Sequence, residues 1–294
     1  MNKIVIFGVG LIGGSVALAL KKSGAVSKIV GVGRSLENLQ AAIEIGVIDE
    51  AESDIAKALV DADLVLIATP VAQTPKILEA IIPHLAYKTV ITDAGSTKSD
   101  IAQYVISASN HAKNPQHFLK QFVGGHPIAG AEKSGVTAAN ADLFMGKNVV
   151  LTPNENTSKD ALKLVRELWQ STGANVSEMT AQAHDQIFAA VSHLPHLLAF
   201  ALVNDLANRP NAKQLFDFAA SGFRDFTRIA GSSPEMWRDI SLANKTALLS
   251  ELETYQAEIS ALQNLLKNED SQGLQAMFEH ASQARQDWQK EREK

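Results

Sequence analysis

The sequence of 294 residues contains no cysteine. That absence excludes disulfides, thiolate zinc sites and cysteine nucleophiles, and it suits a cytoplasmic location. Basic charge is in short supply too: 27 Lys and Arg face 32 Asp and Glu, a formal net charge of −5. A nucleic-acid footprint needs a clustered basic excess, so nucleic acid is not an expected partner. Beyond the N-terminal segment no apolar stretch reads as reaching the roughly 18–20 residues of a membrane span, so no membrane partner is expected either. Metal-ligand motifs, internal repeats and low-complexity linkers are also missing. What remains is 46% hydrophobic and 20% charged, ordinary for a globular chain with real cores.

The N-terminal segment imitates a secretion signal, with Lys3 ahead of an apolar run from Ile4 to Leu20. Gly8, Gly10, Gly13 and Gly14, with Gly24 just beyond, make a poor insertion helix, and no clean small-residue cleavage site follows. The glycines have a better explanation. Gly8-Val9-Gly10-Leu11-Ile12-Gly13 is a G-x-G-x-x-G between a candidate strand, Lys3–Phe7, and a candidate helix. In such a turn Gly8 permits the tight bend, Gly10 lets the backbone approach a pyrophosphate, and Gly13 lets helix and strand pack closely. The helix start at Leu11 and Ile12 offers unpaired N–H groups and a positive dipole end to the phosphates. A purely structural glycine turn is the competing reading, and the strand-to-helix context weighs against it.

A length prior of roughly 150 residues per domain suggests two domains. Short apolar runs alternate with amphipathic segments in the first half, as βαβ units on a parallel sheet require. Candidate strands are Lys3–Phe7, Lys28–Val32, Leu64–Ala68, Thr89–Thr92, Gln121–Val123, Asn148–Leu151 and Asn175–Glu178, with a helix from about Ser158 to Thr172 stopping at Gly173. After Thr180 strand signal fades and Ala, Leu, Gln and Glu dominate. The expected architecture is an α/β Rossmann domain over residues 1–180, doubly wound on a mostly parallel sheet, followed by an all-α domain over 181–294. Leu248, Leu252, Tyr255, Ile259, Leu262 and Leu266 form an a/d-like stripe on one long helix. The stripe predicts a homodimer through the C-terminal helices; a helix packed inside its own domain is the alternative.

The second strand bears on the cofactor. An NAD enzyme usually carries an acid there, about 20 residues past the first glycines, for the ribose hydroxyls. This chain has Gly33-Arg34-Ser35 instead. Arg34 and Ser35 suit a 2′-phosphate, so NADP is expected over NAD; the alternative is a solvated arginine and a serine that merely caps the next helix. Thr69 and Pro70, after the strand at Leu64, are placed to flank the cofactor ribose, although a plain strand-ending turn explains them nearly as well.

Two more segments follow strands and should reach the same sheet edge: Asp93-Ala94-Gly95-Ser96-Thr97-Lys98 and Gly124-Gly125-His126-Pro127-Ile128-Ala129-Gly130. A histidine between glycines and a proline is an odd structural choice and suits a general base near neutrality. His193 and His196 lie three apart in Ser192-His193-Leu194-Pro195-His196, too few ligands for zinc. His84, His111, His117 and His280 sit in polar surroundings and read as surface residues.

Together with Ser221-Gly222-Phe223-Arg224-Asp225-Phe226-Thr227-Arg228-Ile229 and Trp237-Arg238-Asp239, these motifs occur in an order that resembles the prephenate/arogenate dehydrogenase family of tyrosine biosynthesis. The resemblance implies oxidative decarboxylation of a cyclohexadienol with hydride transfer to a nicotinamide and no metal. It makes His126 the group that draws off the ring hydroxyl proton, and Ser96 a second contact to that hydroxyl. Arg228 matches the family's carboxylate-binding arginine, and a bidentate fork suits that task. His196 becomes a substrate-pocket residue and His193 a structural or pocket-edge one. Arg224 is a further substrate candidate, with a salt bridge to Asp225 as its alternative. Two departures stand out: Ala131-Glu132, where many relatives have Thr before the acid, and Ser221, where some have another glycine. The competing functions are another Rossmann plus helical-domain dehydrogenase or imine reductase, and a non-catalytic NADP-sensing regulator.

Overall fold

Bare Val, Ile and Leu runs make strands covered on both faces, and the computed structural model, which describes residues 1–131 and 133–292, has such a sheet at its centre. Its strands are β1 (Lys3–Phe7), β2 (Lys28–Val32), β3 (Glu50–Ala51), β4 (Leu64–Ile67), β5 (Val90–Asp93), β6 (Phe122–Pro127), β7 (Asn148–Thr152) and β8 (Asn175–Glu178). Their spatial order is β3-β2-β1-β4-β5-β6-β7-β8, parallel throughout except where β6 meets β7. The order reverses at β1, between β2 and β4, and in doubly wound sheets that switch point is where ligands bind.

Helices α1 (Leu11–Ser23), α2 (Leu36–Glu44), α3 (Ile55–Leu59), α4 (Thr74–Ile81), α5 (Ser99–Ala108), α6 (Pro115–Gln121) and α7 (Lys159–Ser171) connect the strands. Local chemistry sets their ends. Ser158 accepts the Ala161 N–H at 3.1 Å to start α7, a cap worth about 1 kcal/mol. Gly173, at φ +82°, takes the left-handed conformation that stops it. One apolar layer joins Val16, Leu20, Phe144 and Trp169 to one face of the sheet, and another joins Leu78, Ile101 and Phe118 to the opposite face.

The remaining helices are α8 (Ala181–Phe188), α9 (Leu194–Ala207), α10 (Ala212–Asp217), α11 (Ser221–Thr227), α12 (Pro234–Ala243), α13 (Lys245–Lys267) and α14 (Ser271–Arg292). The chain divides into two compact units, Met1–Lys245 and Thr246–Lys294. The change of composition at Thr180 marks where strands end, and α8 to α12 belong to the same unit as the sheet. Along α13 Leu248 is buried and Leu252 and Leu262 are half-buried, whereas Tyr255, Ile259 and Leu266 are exposed.

Three expectations need correction. Strand β6 does not end at Val123 but runs on through Gly124, Gly125 and His126 to Pro127, paired with β7. The two-residue β3 is too short to leave a periodic signal in the sequence. Finally, a π-helical turn, Ala189–His193, joins α8 to α9, so Ala181–Ala207 is one helix of 27 residues with mean hydropathy 1.6 in its most apolar stretch. By length and composition it is long enough to cross a membrane, and Pro195 lies within it, two residues past the π turn.

Candidate active site

The glycine turn between β1 and α1 takes the shape its sequence requires. Gly8 has φ +92°, and a Cβ there would stand 2.7 Å from the Ala68 carbonyl oxygen. A Cβ on Gly13 would stand 2.2 Å from the Gly8 carbonyl oxygen, so only glycine lets α1 lie this close to β1. Gly10 has open space around its Cα, and with Gly8 it lines a long cleft over the carboxyl ends of β1, β2 and β4. Leu11 and Ile12 form the first turn of α1, where no side chain caps the helix. The N–H groups of that turn suit a pyrophosphate.

Arg34, Ser35, Thr69 and Pro70 line the same cleft. Ser35 also caps α2, its hydroxyl oxygen accepting the Asn38 N–H at 3.1 Å, so the structural alternative for this residue is realised. Arg34 is exposed. The Asn38 amide donates to the Val9 carbonyl at 2.9 Å and ties α2 to the glycine turn. Thr69 Oγ1 is buried with no hydrogen-bond partner among the described residues, an orphan polar atom beside the cleft. Orphan hydroxyl, open glycine and uncapped helix together fit a dinucleotide.

Strand β5 delivers Asp93, and β6 delivers His126. Lys98 and Asp93 are paired with each side chain 1% exposed, a buried ion pair at the centre of the site. Asp93 also accepts the Gly95 N–H at 2.9 Å and the Gly125 N–H at 3.1 Å. Close approach of neighbouring strands explains Gly-Gly before the histidine. A Cβ on Gly125 would lie 2.7 Å from the Asp93 carbonyl oxygen, and one on Gly124 would lie 2.3 Å from Thr152 Oγ1. His126 is thereby held at the strand end, in register with Val150 of β7. Ser96 lies half-buried in the loop after β5.

Behind His126 stand two groups from α8. His126 Nδ1 lies 2.8 Å from His184 Nε2, and His184 Nδ1 lies 2.8 Å from Asp185 Oδ1. Asp185 accepts the backbone N–H groups of Lys98, at 2.9 Å, and Ser99, at 2.7 Å, where α5 begins. Burial pushes the His126 imidazolium well below the usual histidine range, and the neighbouring His184 and Lys98 push it further. Burial also lowers His184, against the pull of Asp185. Burial opposes ionisation of Asp185, yet hydrogen bonds from His184 and Ser99 hold its carboxyl below the usual range.

The π turn shapes the other wall. His193 is buried, accepts the Asn244 amide N–H at Nδ1 at 3.1 Å, and is pushed down to about 4 by burial. The same Asn244 amide donates to the Asp185 carbonyl at 2.8 Å. His196 stacks on Trp237, ring centres 3.7 Å apart, with Nδ1 donating to the Ser192 carbonyl at 2.9 Å. Burial lowers His196, and the nearby positive charge of Arg228 adds to the effect. Arg228 itself is exposed at the start of a 3-10 turn, Arg228–Gly231. Arg224 is exposed and lies 3.5 Å from Asp225, the salt bridge weighed as its alternative. Of the departures from the family pattern, Glu132 lies outside the described residues, and Ser221 begins α11 on the surface.

A family model described as "Prephenate dehydrogenase, nucleotide-binding domain" matches residues 16–178, and one described as "Prephenate dehydrogenase, dimerization domain" matches residues 180–280. The chain belongs to the prephenate dehydrogenase family. Prephenate dehydrogenase of Bacillus subtilis is 40% identical over 97% of this chain and 75% of its own length. Cyclohexadienyl dehydrogenase of Zymomonas mobilis is 32% identical over 96% of this chain and 94% of its own length. Prephenate dehydrogenase of Aquifex aeolicus, solved with hydroxyphenyl propionate and NAD+, superposes with a TM-score of 0.89 at 38% identity, covering 98% of each chain. The chain is accordingly an NAD(P)-dependent dehydrogenase.

Family membership leaves unassigned several groups that pattern reading passed over: His184, Asp185, Asn244 and the burial of Lys98. A signal existed for two of them. His184-Asp185 follows the capping Thr180 and sets an adjacent ionisable pair in the first turns of a long helix, where a buried charge needs a partner.

Proposed function

We propose that the protein catalyses oxidative decarboxylation of prephenate, arogenate or both, yielding 4-hydroxyphenylpyruvate or tyrosine, with NADP as the preferred hydride acceptor and NAD as the alternative. The observation that carries this reading is His126 at the carboxyl edge of the sheet, backed by His184, on the same edge as the dinucleotide cleft. When bound, the nicotinamide supplies the two-electron acceptor. His126 takes the proton of the ring hydroxyl as that O–H bond breaks. The ring gives up a hydride, the bond to the ring carboxylate breaks with loss of carbon dioxide, and the ring becomes aromatic. Aromatisation drives the reaction, so the protein's part is positioning and deprotonation.

Ser96 holds the same hydroxyl and helps to orient the imidazole. Arg228 binds a substrate carboxylate, with His196 beside it and Arg224 as a further contact. Arg34 and Ser35 take the 2′-phosphate; the missing acid at the end of β2 supports that choice. Residues 181–294 serve substrate binding and dimerisation, and the protein works as a cytoplasmic homodimer.

The test is absorbance at the reduced-nicotinamide band, crossing prephenate and arogenate with NAD and NADP. Turnover in any combination establishes the reaction and ranks both specificities. Silence in all four, with cofactor bound, would turn the reading toward another dehydrogenase or a sensor. Arg228→Ala should raise the substrate KM strongly and leave cofactor affinity intact; loss of cofactor binding would remove the carboxylate role.

A further inference from the structure

The contacts behind His126 fix where its proton sits. Asp185 already accepts two backbone N–H groups at the start of α5, where the helix dipole favours a negative charge, so its carboxylate is an acceptor only. The bond between Asp185 Oδ1 and His184 Nδ1 therefore takes its hydrogen from His184. A neutral imidazole carries one N–H, which leaves His184 Nε2 a bare acceptor. The only hydrogen available between His184 Nε2 and His126 Nδ1 is the one on His126. His126 Nε2 is then the nitrogen with the free lone pair.

We propose that His184 and Asp185 are positioning residues that hold His126 in the Nδ1–H tautomer and leave Nε2 as the base for the substrate hydroxyl. The proposal rests on the reaction given above. As the hydroxyl O–H bond breaks, its proton joins Nε2, and the new imidazolium keeps its Nδ1–H bond to His184. The positive charge then sits two hydrogen bonds from the Asp185 carboxylate. His184 is fully buried and Asp185 nearly so, and neither is among the residues lining the dinucleotide cleft. They act through His126, as the orienting carboxylate acts through the histidine of a hydrolase triad.

Two-bond nitrogen–proton correlation NMR on the full chain labelled with ¹⁵N-histidine reads the tautomers directly, with His126→Asn and His184→Phe supplying assignments. Both His126 and His184 should carry the proton on Nδ1. A proton on Nε2 of His126 in the wild-type protein overturns the proposal, whether or not any variant folds. In His184→Phe, His126 should shift toward the Nε2–H form and kcat should fall about 10²-fold, while substrate KM and cofactor affinity stay nearly unchanged. An unchanged kcat would overturn it as well. If the wild-type protein turns over neither prephenate nor arogenate, the reaction is wrong, and the NMR result still decides the tautomer.

Discussion

At His126 burial and neighbouring charge act in one direction: the closed strand end, His184 and the Lys98 ammonium all disfavour the imidazolium. The active base is the neutral form. A lowered pKa keeps it neutral at pH values where an ordinary histidine, near 6.5, would be half protonated. The acid limb of log(kcat/KM) should therefore lie below that value, flat through neutrality and falling only in more acidic buffer. An acid limb above it would mean that another group titrates. The pair Asp93–Lys98 is a second residue-scale device. Both charges are buried and mutually satisfied, so Asp93→Asn strands an ammonium in the core and should cost about 3–5 kcal/mol by urea denaturation. A double change to Asp93→Asn with Lys98→Met removes the stranded charge, keeps an acceptor beside the Gly95 and Gly125 N–H groups, and should recover much of that loss. His126 was legible in the sequence because glycines and a proline flank it. The depth of Lys98 was not, since lysine is almost never fully buried unless a partner is supplied from elsewhere in the fold.

Elements decide which face each motif presents. The turn from β2 into α2 sets Arg34 and Ser35 at the cleft, where the Ser35 hydroxyl caps α2. Arg34→Ala should raise the NADP KM strongly and barely change that for NAD; equal effects on both would sink the 2′-phosphate assignment. Strand β6 shows how element ends escape periodicity. Gly-Gly-His-Pro reads as a loop by composition, yet pairing with β7 and the Asp93 carboxylate holds it extended. The π turn at Ala189–His193 is a similar case. It inserts within one continuous helix and sets His193 toward Asn244 while His196 stacks on Trp237. Such turns recur at functional sites, and no pattern of apolar residues announces them.

At the scale of the whole molecule the open matter is assembly. Tyr255, Ile259 and Leu266 stand exposed along α13, an apolar stripe that water disfavours and a second copy would cover. Ile259→Glu should shift the protein from dimer to monomer in light-scattering chromatography and reduce turnover with it. A wild-type protein that is monomeric at working concentration would refute the dimer. The sequence by itself determined the glycine turn, most of the strands and the stripe on α13, because each is a local pattern enforced by sterics or by the period of a helix or strand. Only the tertiary structure decided that His126 rests on His184, 58 residues away, and that Asp185 ties that pair to the start of α5. Bonds between distant segments follow from how strands and helices pack, and the free energy that selects them is spread over the core rather than written at either end.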